Sequence, residues 1–243
     1  MKKIIVVLLG IFLLAGLVFL SSCGCNGRSG NGRVVKQERK ISSFNKISIE
    51  GVFPVVISQD GGDEWVKVEA DKNLQDLITV ENEGDELLIT SDDNVAIRRS
   101  KKLKVYINIK TLSEIKNKSV GSIKSAGTLK LDSLEINSES VGKLDLKLHG
   151  KFLRANLNSV GVSTLSGKVD EVRINNKSIG ALYAYDLKAQ HLMIHNTAVG
   201  MVQVYADSSF RIRSSGIGNV YYKGDGELKE MKMEGIGKVE REE

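Results

Sequence analysis

Three histidines, two cysteines and six tyrosines are the side chains in this 243-residue sequence with chemistry beyond charge. On an extended strand His191 and His195 share a face but lie about 13 Å apart, too far for one metal ion. His149 stands elsewhere, and nothing from Asn26 to Glu243 adds a thiolate, so neither a metal nor a cofactor is expected. No Gly-x-Ser-x-Gly elbow, phosphate loop or dinucleotide fingerprint is present. The reading is therefore of a protein that is not an enzyme and has no catalytic residues.

The cysteine chemistry is of another kind. Lys2-Lys3 precede an apolar run from Ile4 to Leu20, followed by Leu20-Ser21-Ser22-Cys23. That order resembles a bacterial lipoprotein signal, in which residues 1–22 are removed and Cys23 is acylated. The alternative is an uncleaved membrane anchor at the short end of the spanning range, and either way the partner at this end is a membrane. Residues 23–32 (CGCNGRSGNG) read as a flexible tether, with Cys25 a bystander. Localisation is then the cell envelope, as an outer-membrane lipoprotein. No acid follows Cys23 in Gly24-Cys25-Asn26-Gly27-Arg28, which leans towards the periplasmic face without deciding it. Without Lys2 and Lys3 the chain has 33 Lys+Arg against 30 Asp+Glu, a net charge of about +3. The signs are interspersed, which is a solvated surface and no nucleic-acid footprint.

The remaining chemistry is aromatic. Five of the six tyrosines fall between residues 183 and 222, and their placement depends on a repeat. A small residue, Val or Ile, and Gly recur as Ser119-Val120-Gly121, Ser140-Val141-Gly142, Ser159-Val160-Gly161, Ser178-Ile179-Gly180, Ala198-Val199-Gly200, Gly216-Ile217-Gly218 and Gly235-Ile236-Gly237. The glycines are 21, 19, 19, 20, 18 and 19 residues apart. A period near 19 suits one coil of a β-solenoid.

Positions two and four after each glycine are mostly apolar and their neighbours polar, the period-two pattern of a half-buried strand. Positions six and eight before it, such as Ile174 and Val172, mark a second strand. A second corner is expected at Gly127, Gly150, Gly167, Ala189, Asp207 and Gly224. The repeated glycine supplies either a positive φ or room for close approach of coils. The fold class is all-β: a right-handed β-helix-like solenoid with ~19-residue coils. An up-and-down sandwich also suits short strands at this spacing.

Tyr183 and Tyr221 occupy the third position after their glycines and Tyr185 and Tyr205 the fifth, all outward, whereas Tyr222 is expected in the core. On consecutive coils Tyr185 and Tyr205 would stack ~5 Å apart. These four form the candidate ligand-binding patch, for a glycan or protein ligand or for self-association. A ladder that merely covers the coils is the competing reading. The outward third position otherwise carries Lys124, Asp145, Thr164, Gln203 and Glu240, with no adjacent acidic pair for polysaccharide cleavage.

Residues 33–115 read as an irregular N-terminal β region and 116–243 as the seven repeats, with 33–243 one continuous domain. Strands are expected at Phe44–Ile49, Phe53–Ile57, Trp65–Val68, Glu86–Ile89 and Leu103–Ile107, and a helical turn over Asp71–Leu77 capped by Asp71. Pro54, the only proline, argues for an edge or terminal strand. The basic run Arg98-Arg99-Ser100-Lys101-Lys102 reads as a turn. The whole region would cap the first coil.

The pattern Phe44-x-x-Ile47-x-Ile49-x-Gly51-x-Phe53-x-Val55-x-Ile57-x-Gln59, followed by Val66-x-Val68, Asn73-Leu74 and Leu87-x-Ile89, resembles the putative auto-transporter adhesin head GIN-domain family. That resemblance covers residues 41–240. It implies a β-helix-like stack on a secreted or lipid-anchored protein of Bacteroidetes, with a role in adhesion and no catalytic residues to carry over. The acid that often follows the corner glycine in that family is absent here. The function expected is that of a lipid-anchored cell-envelope binding protein, an adhesion or surface-interaction module. A periplasmic structural or assembly scaffold is the alternative, and a polysaccharide-acting β-helix enzyme ranks third.

Overall fold

In the computed structural model, residues 27–92 and 94–243 are described. The signal segment 1–22, the acylation at Cys23 and the role of Cys25 lie outside the described residues. The N-terminal part holds β1 (Gly27–Ser29), β2 (Val34–Arg39), β3 (Lys46–Glu50), β4 (Val55–Ser58) and β5 (Trp65–Asp71). A 3₁₀ turn (Lys72–Leu77) leads to β6 (Ile78–Glu83), β7 (Glu86–Ser91), β8 (Ala96–Arg99) and β9 (Leu103–Asn108). The repeats hold β10 (Glu114–Asn117), β11 (Val120–Ser138), β12 (Val141–Leu157), β13 (Val160–Asn176), β14 (Ile179–Asn196), β15 (Val202–Ser214), β16 (Val220–Lys223), β17 (Glu227–Met233) and β18 (Val239–Arg241).

Each repeat stacks in parallel on the next, giving a β-solenoid of about 7 turns of ~19 residues. The corner valines and glycines are aligned throughout: Val120 with Val141, Val160 and Ile179, and Gly121 with Gly142, Gly161 and Gly180. The inward positions form aliphatic ladders, with Ile136, Ala155, Ile174, Ile194 and Ile212 at most 1% exposed. Each full-sized side chain buried in this way is worth about 1.5–3 kcal/mol. Met231 continues that ladder in register but is 55% exposed, because no further coil covers it.

The corner glycine answers two demands at once. Gly142 has φ +149°, and a Cβ on it would lie 2.0 Å from the Gly121 carbonyl oxygen, so neither the conformation nor the space admits a side chain. Beneath the corners runs a buried polar row in which Asn117 Nδ2 donates to Ser138 Oγ, Asn176 Nδ2 to Asn196 Oδ1 and Asn196 Nδ2 to Ser214 Oγ. Every member has a partner, so the row costs little and penalises a slip of register.

The N-terminal region differs from expectation in four respects. First, β3 and β4 belong to the stack itself: Ile47 pairs with Ile115, Val55 with Ile123, and Val120 N donates to Gly51 O. Residues 44–59 are thus a coil with Phe53 in the glycine place. On its other side β7 and β9 form a further rung, and the antiparallel strands β2, β5 and β6 close the end. Second, β4 is an interior rung, not an edge; Pro54 is tolerated because it stands just before the strand begins.

Third, Asp71 does not cap the turn with its side chain. Its carboxylate is buried and accepts bonds from the N–H groups of Gly32 (2.6 Å), Lys101 (2.8 Å) and Lys102 (3.3 Å). Fourth, the tether is bound from Gly27 onward: β1 pairs with β8, Gly30 N donates to Arg99 O and Arg28 meets Asp76 at 2.7 Å. The basic run is accordingly half strand, at Arg98-Arg99, and half the loop that Asp71 holds. No helix among the described residues is long and apolar enough to cross a membrane.

Candidate functional site

The strand after each corner presents alternate residues to opposite sides. Leu182, Val202 and Val220 point inward and are buried, so the residues beside them point out. Tyr183, Gln203, Tyr221 and Glu240 form one outward row in strict register. Tyr183 is 36% exposed. Tyr185, Tyr205 and Tyr221 are half-buried on the same side. Tyr222 is in the core as expected, edge-on to Phe210 at 5.1 Å.

Tyr185 and Tyr205 do not form the expected stack. Pairing between β14 and β15 runs to Ala184 and Val204, then resumes at Ala189 and Ala206. The extra residues of β14 bulge, and Tyr185 is the first of them. Each ring instead lies under a cation: Lys188 Nζ is 3.5 Å from the Tyr205 centroid and Lys223 Nζ 5.2 Å from that of Tyr185. The unequal repeat lengths, 20 residues and then 18, were the signal for this slip.

Hydroxyl partners divide the four. Tyr185 donates to Glu242 Oε2 at 2.8 Å, Tyr205 donates to Asp207 Oδ1 at 2.6 Å, and Tyr221 accepts from Asn219 Nδ2 at 2.8 Å. Burial pushes the Tyr185 phenol far up, and the bond to Glu242 and its charge push the same way. The bond to Asp207 raises that of Tyr205, with burial adding to it. Tyr183 makes no such bond among the described residues. The patch is therefore one open phenol, Tyr183, beside the amide of Gln203 and the edge of Tyr221, framed by two tyrosines that hold bulge and C-terminus in place. Such a surface can bind by stacking and directed hydrogen bonds.

A second concavity, unread from the sequence, opens at the other corner. It has a volume of about 830 Å³. Lys130, His149 and Lys168 stand in register on three successive rungs within it. Lys151 pairs with Asp132 at 2.8 Å alongside; that bond raises Lys151 and lowers Asp132. The groove offers cations to an anionic group. The sequence signal was present at equal offsets before and after the glycines, but the bulge near Ser125–Gly127 breaks the count. His191 Nδ1 lies 2.9 Å from Ser209 Oγ, and no group of three or more His, Cys, Asp or Glu converges on a metal position among the described residues.

Residues 43–226 match the family described as "Putative auto-transporter adhesin, head GIN domain". The chain belongs to that family. A crystal structure of a putative adhesin from Bacteroides fragilis superposes with a TM-score of 0.85 at 26% identity, covering 89% of this chain and 100% of that one. Two structures from Parabacteroides share the fold at lower identity. One, a putative lipid binding protein of P. distasonis, gives TM-score 0.66 and 23% identity over 88% of this chain and 99% of that one. The other, a putative adhesin of P. merdae, gives 0.62 and 20% over 88% and 99%. No curated protein matches the chain. The GIN-domain family and the β-solenoid thus agree with the reading of the sequence.

Proposed function

We propose that this GIN-domain chain is a lipid-anchored binding protein of the cell envelope, an adhesion or surface-interaction module that acts without catalysis. The observation that carries the reading is the registered outward row Tyr183, Gln203 and Tyr221 on a rigid sheet, with the Tyr183 hydroxyl free to meet a ligand. Membership of an adhesin family supports it, as does the Leu20-Ser21-Ser22-Cys23 pattern for outer-membrane anchoring. A protein or a glycan is the fitting partner, since phenol and amide groups meet both.

The experiment is protease and antibody accessibility of an epitope tag near Glu243 in intact and lysed cells. Cleavage and labelling in intact cells are expected. Protection until lysis removes adhesion and leaves the periplasmic scaffold.

A further inference from the structure

The residue that defines the repeat contributes little to the core. The Val or Ile before each repeat glycine, from Val120 at the first corner to Ile236 at the last, is 45–71% exposed. Val52, equivalent by hydrogen-bond register, adds an eighth at 50%. At strand spacing these side chains form one apolar ridge ~34 Å long. The fold does not require it. The buried serine before and the glycine after make the corner, and Thr has the β-branched shape without the apolar cost. The ridge exposes roughly 700 Å², beyond what monomers usually leave uncovered and close to one side of a standard interface.

The flanks indicate what covers it. Two residues before the ridge the exposed row includes Lys118, Glu139, Lys177 and Glu234; two residues after it stand Lys143 and Lys238, with apolar residues between. A bilayer would favour cationic flanks, yet two carboxylates stand in one of them. If two ridges meet with their solenoids parallel, each rung's leading flank faces the other copy's trailing flank. Glu139 then faces Lys143 and Glu234 faces Lys238, each twice by symmetry, and no like charges meet. Antiparallel docking would set Lys177 against Lys177.

We propose that this ridge docks on the same ridge of a second copy, parallel about a two-fold axis along it. Both N-termini then point the same way, as two copies on one membrane require; that point alone rests on the anchoring proposed above.

The test is cysteine cross-linking of the full chain in cells, in a Cys25→Ser background, with the parent lacking an added cysteine as blank. Val120→Cys and Ile236→Cys, at opposite ends of the ridge, are each expected to give disulfide dimers several-fold above Lys168→Cys on another face. Differently tagged Val120→Cys and Ile236→Cys chains expressed together should give no mixed dimer. Glu139→Lys should cut the yield by more than half, and adding Lys143→Glu should restore it. Yields no higher than that of Lys168→Cys overturn the proposal, and so does a mixed dimer, which would mean antiparallel packing. Ridge cysteines that fail to cross-link but are shielded from maleimide by lipid would assign the ridge to a bilayer. Cross-linking reads out whether or not Cys23 is acylated.

Discussion

The carbonyl oxygen of Gly142 occupies the place beside Gly161 where a side chain would begin: a Cβ there would lie 2.1 Å from it. The contact recurs along the stack, so each corner glycine is fixed by its neighbour's backbone and by its own φ. Gly161→Ala is therefore expected to destabilise the domain by about 3 kcal/mol or more, combining a Gly-only φ with a backbone collision. Removing the Ser159 hydroxyl beneath the same corner should cost only about 1 kcal/mol. Denaturant titration of the two variants gives the comparison, and an equal cost for both would refute the role assigned to the glycine.

The phenol of Tyr185 is raised by burial and by Glu242, which has a consequence at high pH. Its folded value lies above the unfolded value of about 10, so the folded state holds that proton more tightly. The stability it contributes is complete below pH ~10 and is lost as pH rises through the folded value. Spectrophotometric titration should show at least one tyrosine that resists ionisation until unfolding. In Glu242→Gln that tyrosine should titrate earlier and the alkaline loss of stability should be shallower.

At the other end of the chain the sign reverses. Burial works to raise the Asp71 carboxyl, but the N–H groups of Lys102, Lys101 and Gly32 outweigh it and hold it below the usual range. Its contribution is therefore present above about pH 4, the unfolded value, and is lost as pH falls through the folded one. Asp71→Asn should flatten that acid dependence. It should also speed amide exchange at Gly32, Lys101 and Lys102 while the amides of β12 to β14 stay protected. Equal loss of protection in those strands would mean that the pin is not local.

The repeats were legible because their corners forbid a Cβ and their inward positions must be aliphatic, two demands visible at fixed spacing. The coil of residues 44–59 hid for the opposite reason. Phe53 stands in the glycine place, the positive φ moves to Gly51, and 52 intervening residues, from Asp60 to Thr111, separate β4 from the repeats it stacks on. Hydrophobic alternation gave its strands but could not give their partners. The tyrosine patch was legible as a face and not as a geometry. Period two placed all four outward, whereas the bulge after Ala184 and the reach of Glu242 from the last coil depend on long-range register. Asp71 was recognised as a cap from its local context, but its real partners lie 30 or more residues away in both directions.

That geometry divides the tyrosines into two experiments. Tyr183 is exposed, has no hydroxyl partner among the described residues and braces nothing. Tyr183→Ala should leave stability within about 0.5 kcal/mol, as surface changes do, and should weaken a surface ligand by about tenfold if the phenol is an anchor. Tyr185 ties the bulge of β14 to the C-terminal coil, so Tyr185→Ala should lower the melting midpoint whether or not a ligand binds. Tyr185→Phe keeps the ring under Lys223 and loses only the bond to Glu242, and it should fall between the wild type and Tyr185→Ala. Once a ligand has been found by screening glycans and envelope proteins against the full chain, affinity and melting measured on all three variants separate recognition from support. An affinity unchanged by Tyr183→Ala would remove the tyrosine row from the binding surface and leave the groove of Lys130, His149 and Lys168 as the next place to look.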